Sequence, residues 1–440
     1  MWLGRSHKTG GKTQITSLEE KTMKKIIALL LTLCMVLSFA ACGGNQASLG
    51  MSDVPIEAVK LNVDYKVPDD FKVGFICLHD EKSTYDLNFL NGVEEVKKAA
   101  GLSDSQILIK KNVPETDDCY QAAKDLVTEG CDLIFANSFG HENFIIKAAK
   151  EFPEVQFCHA TGTKAHTEKL PNYNNAFASI YQGRYLAGIA AGMKLNAMIE
   201  AGEITEKEAK MGYVGAYTYA EVISGYTSFY LGAKSVCPSV TMDVQFTGSW
   251  YDVVAEKNAA EALLARKCVL ISQHADSMGA PSACEAKGVP NVSYNGSTYD
   301  SCPETFIVSS RINWAPYYNY IIGCVIKGEE IADDWCGGIK EGSVVLTGIN
   351  QDVAAEGTVE AIKAAADKFK NGKLEVFDTN NFTVGGKKLS ANHEADVDDL
   401  GDYQADTKVV EDGKFKESKF RSAPYFDLRI DGINLLNEKF

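Results

Sequence analysis

Aromatic, amide and carboxylate side chains gather in the loops that follow the apolar runs of this sequence. Rings can stack on a flat molecule, whereas amides and carboxylates can hydrogen-bond its edge. The residues with this chemistry that we select as candidates are, in chain order, Asp80, Tyr85, Asp86, Asn137, Ser138, Phe139, Tyr217, Trp250, His274, Asp276, Asn295, Asn313 and Trp314. Their mixture predicts a binding site for a small, flat, polar molecule.

Several of these residues also have ordinary structural explanations. Trp250 and Trp314 stand near strand ends, where large rings often complete a hydrophobic core. Asp276 could cap the helix that follows it, and His274 could be a hydrogen-bonded structural residue. The sequence leaves both interpretations open.

Motifs of catalysis are absent from the sequence. It contains no G-x-S-x-G nucleophile elbow, no lysine-containing phosphate loop and no Cys/His spacing typical of a metal site. The G-x-G-x-x-G fingerprint of dinucleotide binding is also missing. We therefore expect a binding protein that is not an enzyme and that uses no cofactor and no metal.

Short apolar runs alternate with segments of helical periodicity, which is typical of a parallel sheet with covering helices. A first series contains strands near residues 71–77, 106–109, 131–135 and 155–157, and a polar turn at 201–210 opens a second, similar series. This pattern predicts an α/β fold with two similarly built lobes. In such sheets the ligand binds outside the carboxyl ends of the strands, where the candidate residues lie.

The beginning of the chain has the layout of a secretory signal. Lys24 and Lys25 precede an apolar run at 26–39 and two small residues, and Cys42 follows them. Cys42 with the next residues resembles the lipobox of bacterial lipoproteins, in which this thiol carries the lipid. We expect residues 1–22 to be an upstream extension, 23–41 a signal peptide and 42–67 a tether, so that the protein lies lipid-anchored on the outer face of the cytoplasmic membrane.

Composition excludes some partners and bounds the number of domains. A chain of 440 residues exceeds what one core usually organises, so two domains are expected. Its formal net charge of −15 argues against nucleic acid and anionic lipid headgroups as partners. Ten of the twelve cysteines lie beyond residue 42 without C-x-x-C spacing. Buried free thiols are therefore expected, although an even number would permit disulfides.

Six segments carry a resemblance to a known family. They read GCDLIFANSFG (130–140), AAKEFPEVQF (148–157), YLAGIAAG (185–192), MGYVG (211–215), GSWYD (248–252) and NWAPYY (313–318). They resemble the basic membrane protein family, the PnrA-like purine-binding lipoproteins of ABC importers. This resemblance implies a periplasmic-binding-protein type I fold whose lobes we place at 68–178 plus 303–332 and at 179–302 plus 333–440. It also implies permease and ATPase partners and a monomer.

The resemblance further suggests the roles of individual residues. Nucleoside-binding relatives stack the base on a Phe of the first loop, where this chain has Tyr85, followed by Asp86. They place an Asp near the ribose, where this chain has Asn295, and the expected downstream Lys is missing. QHADS at 273–277 instead resembles a branch of the family associated with free purine bases. We expect a purine base or nucleoside between Tyr85 and Trp250, with Asp276 and Asn137 at its edge.

Three alternatives compete with this reading. The site could hold another heterocycle such as riboflavin, since stacking rings and amides are not specific to purines. A nucleoside hydrolase or phosphorylase is the enzyme that the fold class would allow. A surface receptor or adhesin could use the same fold. The lipoprotein-like signal and the ring-rich loops favour the transport protein over both of the latter.

Overall fold

A computed structural model of the protein describes residues 49–56, 59–399 and 404–438. In chain order, its helices are α1 (Thr84–Ala100), α2 (Asp117–Thr128), α3 (Glu142–Glu151), α4 (Ala165–Glu168), α5 (Tyr181–Glu200), α6 (Ala220–Val236), α7 (Val253–Ala265), α8 (Gly279–Glu285), α9 (Ala315–Lys327) and α10 (Thr358–Lys370). None of the described helices is both long and apolar enough to cross a membrane.

The strands follow the same order. They are β1 (Val73–Ile76), β2 (Ile107–Lys110), β3 (Leu133–Ala136), β4 (Gln156–Ala160), β5 (Tyr173–Ala178), β6 (Lys210–Gly215), β7 (Thr241–Phe246), β8 (Leu270–Gln273), β9 (Asn291–Tyr294), β10 (Phe306–Ile312), β11 (Asp334–Gly337), β12 (Val344–Leu346), β13 (Glu394–Ala395), β14 (Thr407–Lys408), β15 (Val410–Glu411), β16 (Lys414–Phe415) and β17 (Ile433–Leu435).

Two large sheets organise these strands. The first has the order β11-β5-β4-β3-β1-β2, and all of its pairs are parallel. The second has the order β12-β10-β9-β8-β6-β7-β17 and is parallel except where β12 joins β10. We call each sheet with its covering helices a lobe. In both lobes the strand order reverses direction beside the first strand, at β1/β3 and at β6/β8, which is where such sheets bind ligands.

Local sequence explains the helix that carries the first-loop residues. Ser83 caps α1 by accepting a hydrogen bond from the backbone N–H of Asp86, and Gly101 ends the helix in the left-handed conformation at φ 72°. Phe89 and Val93 recur one turn apart and are buried in the core of the first lobe. This cap starts the helix at Thr84, so that Tyr85 and Asp86 belong to its first turn.

The chain crosses between the lobes after β5, after β10 and after β11. Two of these positions differ from the sequence-based boundaries. Residues 303–332 are expected in the first lobe, yet β10 pairs with β9 in the second sheet. Residues from 333 onward are expected in the second lobe, yet β11 pairs with β5 in the first sheet. The crossover follows β10 because this strand pairs in parallel with β9, with Ser309 opposite Ser293 and Ser310 opposite Tyr294.

The N-terminal segment is bound to the body from residue 49 onward. The backbone N–H groups of Leu49 and Gly50 donate to the carboxylate of Asp352 at 2.6 and 3.1 Å. Farther along, the Asp64 carboxylate pairs with Lys327 at 2.7 Å. Described residues within the tether expected at 42–67 therefore bond to the body of the protein. Local polarity did not predict this, because it does not reveal long-range partners. Residues 1–48, including the expected signal and Cys42, lie outside the described residues.

The C-terminal segment contacts both lobes. β15 and β16 form a hairpin around Asp412 and Gly413, whose positive φ angles of 48° and 72° suit a tight hairpin turn. β17 extends the second sheet beside β7. Ser422 donates from its backbone N–H and from its hydroxyl to Asp334 in the first sheet, each at 2.7 Å. The C-terminal segment is therefore joined to both lobes.

The ten cysteines of the described residues are free thiols, and nine of them are buried. Burial raises the pKa of several, for example that of Cys158 to about 12. Such thiols stay protonated and behave as small apolar side chains.

Candidate functional site

A cavity lies between the loops at the carboxyl ends of the two sheets. It encloses about 400 Å³ of space between atoms, including space open to solvent. The side chains that line it are Leu78, His79, Tyr85, Ser138, Phe139 and Thr161 from the first lobe and Glu221, Trp250, His274, Asp276, Tyr294 and Asn295 from the second. No Lys or Arg is among these described lining residues, so the wall offers carboxyl groups and rings without a cation.

Two lining residues have a left-handed backbone. Thr161 has a φ of 66° and Asn295 a φ of 64°. Asn tolerates this conformation, whereas a β-branched residue such as Thr rarely adopts it. Strained backbone of this kind is concentrated at functional sites, where the surrounding structure holds it in place.

Tyr85 presents a fixed ring from the first turn of α1. Its hydroxyl donates to the backbone carbonyl of Asn137 at 2.6 Å, and its ring packs edge-on against Phe89 at 4.8 Å between centroids. Burial, followed by the negative charge of Glu221, raises the pKa of Tyr85 well above its usual value. The phenol therefore stays neutral and donates, which holds the ring in one orientation at the cavity wall.

Asp86 and Asn137 support the first-lobe wall from behind instead of lining the cavity. The Asn137 side-chain N–H donates to Asp86 Oδ1 at 2.7 Å, and its Oδ1 accepts from the backbone N–H of Leu78 at 3.0 Å. Burial would raise the pKa of Asp86, but hydrogen bonds from His79, Asn137 and Ser83 outweigh it and lower that pKa. Because both side chains are fully buried and do not line the cavity, neither reaches the edge of a ligand there.

Asp276 occupies the second-lobe wall directly after β8. Its Oδ1 accepts from the side-chain N–H of Asn295 at 2.9 Å, and its backbone N–H donates to the carbonyl of Trp250 at 3.0 Å. Burial, with the nearby Glu256 carboxyl, raises the pKa of Asp276 well above its usual value. A carboxyl that holds its proton can donate a hydrogen bond as well as accept one.

A chain of polar groups runs behind the second-lobe wall to a buried cation. Arg184 is fully buried and donates to the Tyr213 hydroxyl at 3.1 Å. That hydroxyl lies 3.3 Å from His274 Nδ1, and His274 Nε2 lies 3.4 Å from Glu221 Oε1. Burial lowers the pKa of His274, so its imidazole is neutral and uses both nitrogens within this chain.

Trp250 belongs to a group of rings at the rim of the second lobe. Tyr217 meets it edge-on at 5.0 Å, and Tyr219 stacks on Tyr217 at 5.1 Å with an interplanar angle of 18°. Tyr219 also contacts Phe139 of the first lobe at 5.1 Å. Tyr217 therefore backs Trp250 instead of lining the cavity.

The loops of the two lobes touch around the cavity. The Thr84 backbone N–H and hydroxyl donate to the backbone carbonyl of Asp276 at 3.2 and 3.1 Å. The Asn88 side-chain N–H donates to Asn295 Oδ1 at 3.2 Å. These contacts describe a closed arrangement of the two lobes, which encloses whatever the cavity holds.

The structure brings seven of the thirteen candidate residues together at the cavity: Tyr85, Ser138, Phe139, Trp250, His274, Asp276 and Asn295. The other candidates have structural roles in this arrangement. Asp80 Oδ1 accepts from the backbone N–H of Lys82 in the turn before α1. Asn313 Oδ1 accepts from the backbone N–H of Ala315 at the start of α9.

Trp314 lies in the core of the first lobe and not at the cavity. It is 1 % exposed and stacks on Phe89 at 4.4 Å with an interplanar angle of 20°. Its indole N–H has no hydrogen-bond partner among the described residues. The structural explanation therefore fits Trp314, whereas Trp250, the other tryptophan with two possible explanations, lines the cavity.

Sequence reasoning missed five lining residues: Leu78, His79, Thr161, Glu221 and Tyr294. Leu78, His79 and Thr161 stand just after strands, so their position could have identified them as candidates. Their side-chain types gave no such signal. Glu221 falls in the first turn of α6, where an acidic residue is ordinary. Nothing local distinguishes it from a helix-terminal charge.

Comparison with known proteins finds similarity along most of the chain. A family profile described as "ABC transporter substrate-binding protein PnrA-like" matches residues 78–380. A purine-binding protein of Brucella abortus is 31% identical over 283 residues, covering 63% of this chain and 77% of its own. A nucleoside-binding protein of an ABC transporter, BmpA of Lactococcus lactis, is 25% identical and covers 89% and 98%. A putative glucose-binding protein, TsgA13 of Haloferax volcanii, is 30% identical and covers 56% and 59%.

Solved structures show the same fold. An ABC transporter solute-binding protein from Conexibacter woesei superposes with a TM-score of 0.57 at 21% identity, covering 69% of this chain and 98% of its own. A second one, from Aeropyrum pernix, gives a TM-score of 0.56 at 17% identity, covering 69% and 92%. The expected periplasmic-binding-protein type I fold is thereby confirmed.

Proposed function

Because the chain belongs to the PnrA-like family of ABC transporter substrate-binding proteins, we propose that it captures a purine base or a purine nucleoside between its two lobes. The observation that carries this proposal is one cavity that combines the rings of Tyr85 and Trp250 with the carboxyl groups of Asp276 and Glu221. Stacking on an aromatic side chain contributes about 1–3 kcal/mol per base in comparable sites. The carboxyl groups then distinguish ligands by the hydrogen-bonding groups at the edges of their rings.

The names of two relatives support the ligand class. The Brucella protein is called purine-binding and the Lactococcus protein nucleoside-binding. The Haloferax relative is called a putative glucose-binding protein, and a sugar would also use carboxylates and a ring face. The second candidate ligand is therefore a hexose. Riboflavin represents flat heterocycles other than purines in the test that follows.

A thermal-shift screen tests the ligand class directly. A ligand that binds only the folded state at a hundred times its Kd adds about 2.7 kcal/mol of stability and raises the melting temperature. The purified protein is screened with adenine, guanine, hypoxanthine, their nucleosides, riboflavin and glucose. We expect a shift with bases or nucleosides; a shift with glucose or riboflavin alone would contradict the proposal.

We further propose that the protein has no catalytic activity and acts as a monomer that delivers its ligand to a permease with its ATPase. The family is one of transporter components, which supports this proposal. Incubation with inosine or adenosine, with and without phosphate, should leave the nucleoside intact. Release of free base would show an enzyme instead.

Anchoring through Cys42 is a separate proposal, supported by the lipobox-like residues in the sequence. A diacylglyceryl group on this cysteine would hold the protein at the membrane surface. Cys42→Ser should move the protein from the membrane fraction to the soluble fraction. Retention of the variant in the membrane fraction would refute lipidation.

A further inference from the structure

Glu221 is the one lining carboxylate that the sequence did not suggest. It stands in the first turn of α6, and its side chain keeps 14% of its surface exposed, toward the cavity. A negative charge is favoured there because the backbone N–H groups of a helix start point outward. The position therefore suits an ionised acceptor.

The groups behind Glu221 fix the direction of each hydrogen bond. Arg184 can only donate, so the Tyr213 oxygen accepts from it and turns its own proton toward His274 Nδ1. The neutral imidazole then carries its hydrogen on Nε2 and donates to Glu221. This tautomer follows from the hydrogen-bond network.

The arrangement is closely packed around the imidazole. A Cβ atom at Gly225, one turn along α6 from Glu221, would lie 2.5 Å from His274 Nδ1. Only glycine lets the helix approach His274 so closely. His274 is thus held as the link between a buried cation and a cavity carboxylate.

The same carboxylate has unused acceptor capacity. The bond from His274 occupies one oxygen of Glu221, and no other hydrogen bond from the described residues reaches it. A carboxylate can accept about four hydrogen bonds. The remaining lone pairs face a cavity whose described lining has no cation to take them.

We propose that Glu221, oriented by the chain of Arg184, Tyr213 and His274, accepts a hydrogen bond from the ligand and selects neutral ligands that carry a donor at that point over anions. This inference rests on the proposed function, which supplies the purine. The donor is a ring N–H or amino group of the base, or a hydroxyl of the ribose. A phosphate at the same place would be repelled.

Calorimetric titration of Glu221→Gln tests the proposal. The substitution keeps the shape and removes the charge, and Glu203→Gln, an exposed residue of the same lobe, removes one charge away from the cavity. We expect Glu221→Gln to weaken the binding of the preferred purine at least tenfold and Glu203→Gln to leave it within twofold. AMP should bind the unsubstituted protein at least a hundredfold more weakly than adenosine.

Ligand analogues identify the donor. Adenine, 9-methyladenine and adenosine differ only at N9, so an equal loss for all three assigns the amino group. A loss for adenine alone assigns the N9–H group, and a loss for adenosine alone assigns the ribose. Each of these patterns supports the proposal.

Tyr213→Phe tests whether the Tyr213 hydroxyl orients His274 and, through it, Glu221. The substitution keeps the ring and breaks the link between Arg184 and His274. We expect a loss in affinity of about threefold to tenfold. The titration is run well below the melting temperature of the unliganded variant, so that unfolding does not contribute to the loss. Unchanged affinity in Glu221→Gln for every purine would overturn the inference and leave the proposed function intact. Failure of the unsubstituted protein to bind any purine would overturn both.

Discussion

The two walls of the cavity use their polar groups differently. On the first-lobe wall, the hydroxyls of Tyr85 and Thr161 donate to backbone carbonyls, and that of Ser138 donates to Glu115 at 2.6 Å. On the second-lobe wall, Asp276 and Glu221 each hold one side-chain partner and keep further acceptor capacity. These three first-lobe hydroxyls are therefore already bonded within the protein, whereas the two second-lobe carboxyl groups retain sites for a ligand.

The largest expected effect concerns the core under the first-lobe wall. Trp314→Ala removes a fully buried ring that stacks on Phe89, and should lower the free energy of unfolding by about 3–5 kcal/mol. Ligand affinity of the folded protein should stay within about threefold, because the ring does not reach the cavity. Denaturant unfolding and calorimetry measure the two quantities. A loss of affinity without a loss of stability would show that Trp314 belongs to the ligand-binding site instead of the core.

Asp276→Ala tests recognition by the second wall. It removes a buried carboxyl and leaves the Asn295 amide without its partner, so we expect a loss of about 2 kcal/mol in binding, roughly 30-fold in Kd. Ser138→Ala on the opposite wall is the control and should change Kd less than about twofold, because its hydroxyl is already bound to Glu115. Equal losses in both variants would erase the distinction between the walls.

Trp250→Ala is the matched counterpart of the Trp314 substitution. Removing this ring should weaken binding at least about tenfold, or 1.4 kcal/mol, if it stacks on the ligand. Its partly buried position predicts a smaller loss of stability than that of Trp314. Titration of both tryptophan variants measures the contrast. An unchanged Kd would remove Trp250 from the site.

The smallest expected effect is a pH dependence that belongs to the second lobe. Burial raises the pKa of Glu256 to about 7, above that of the unfolded chain, so its contribution to stability is complete at low pH and is lost as pH rises through 7. Glu256→Gln mimics the protonated form. Its stability relative to the unsubstituted protein should therefore increase by on the order of 1 kcal/mol between pH 5 and pH 8.

Chemical unfolding at several pH values measures this difference. Glu203→Gln, on the surface, should give a stability difference that does not vary with pH over the same range. If Glu256→Gln behaved like this control, the carboxyl of Glu256 would not be protonated in the folded state.

Local pattern was sufficient for most of the fold. The strands predicted near 71–77, 106–109, 131–135 and 155–157 overlap the observed strands β1 to β4, because each is a continuous apolar run with turn residues around it. The crossovers after β10 and β11 were misplaced. The sheet to which a strand belongs depends on its pairing partners. The local sequences of β10 and β11 do not indicate which strands they pair with.

The site was predictable to the level of loops and less so to the level of side chains. Asp276 and Trp250 follow strands, and both line the cavity. Asn137 also follows a strand directly, yet its amide group is hydrogen-bonded to Asp86 and to the backbone N–H of Leu78 instead of lining the cavity. Residue type and position cannot reveal which polar groups already have partners.

The amino-acid sequence by itself determined the α/β architecture, the acidic character of the chain and the set of loops that surround the cavity, because these depend on periodicity, composition and strand order. Only the tertiary structure decided which tryptophan packs in the core and which lines the cavity, and that Glu221 connects through His274 to the buried Arg184. These assignments depend on contacts between residues far apart in the chain, and such contacts form only when the two sheets are in place.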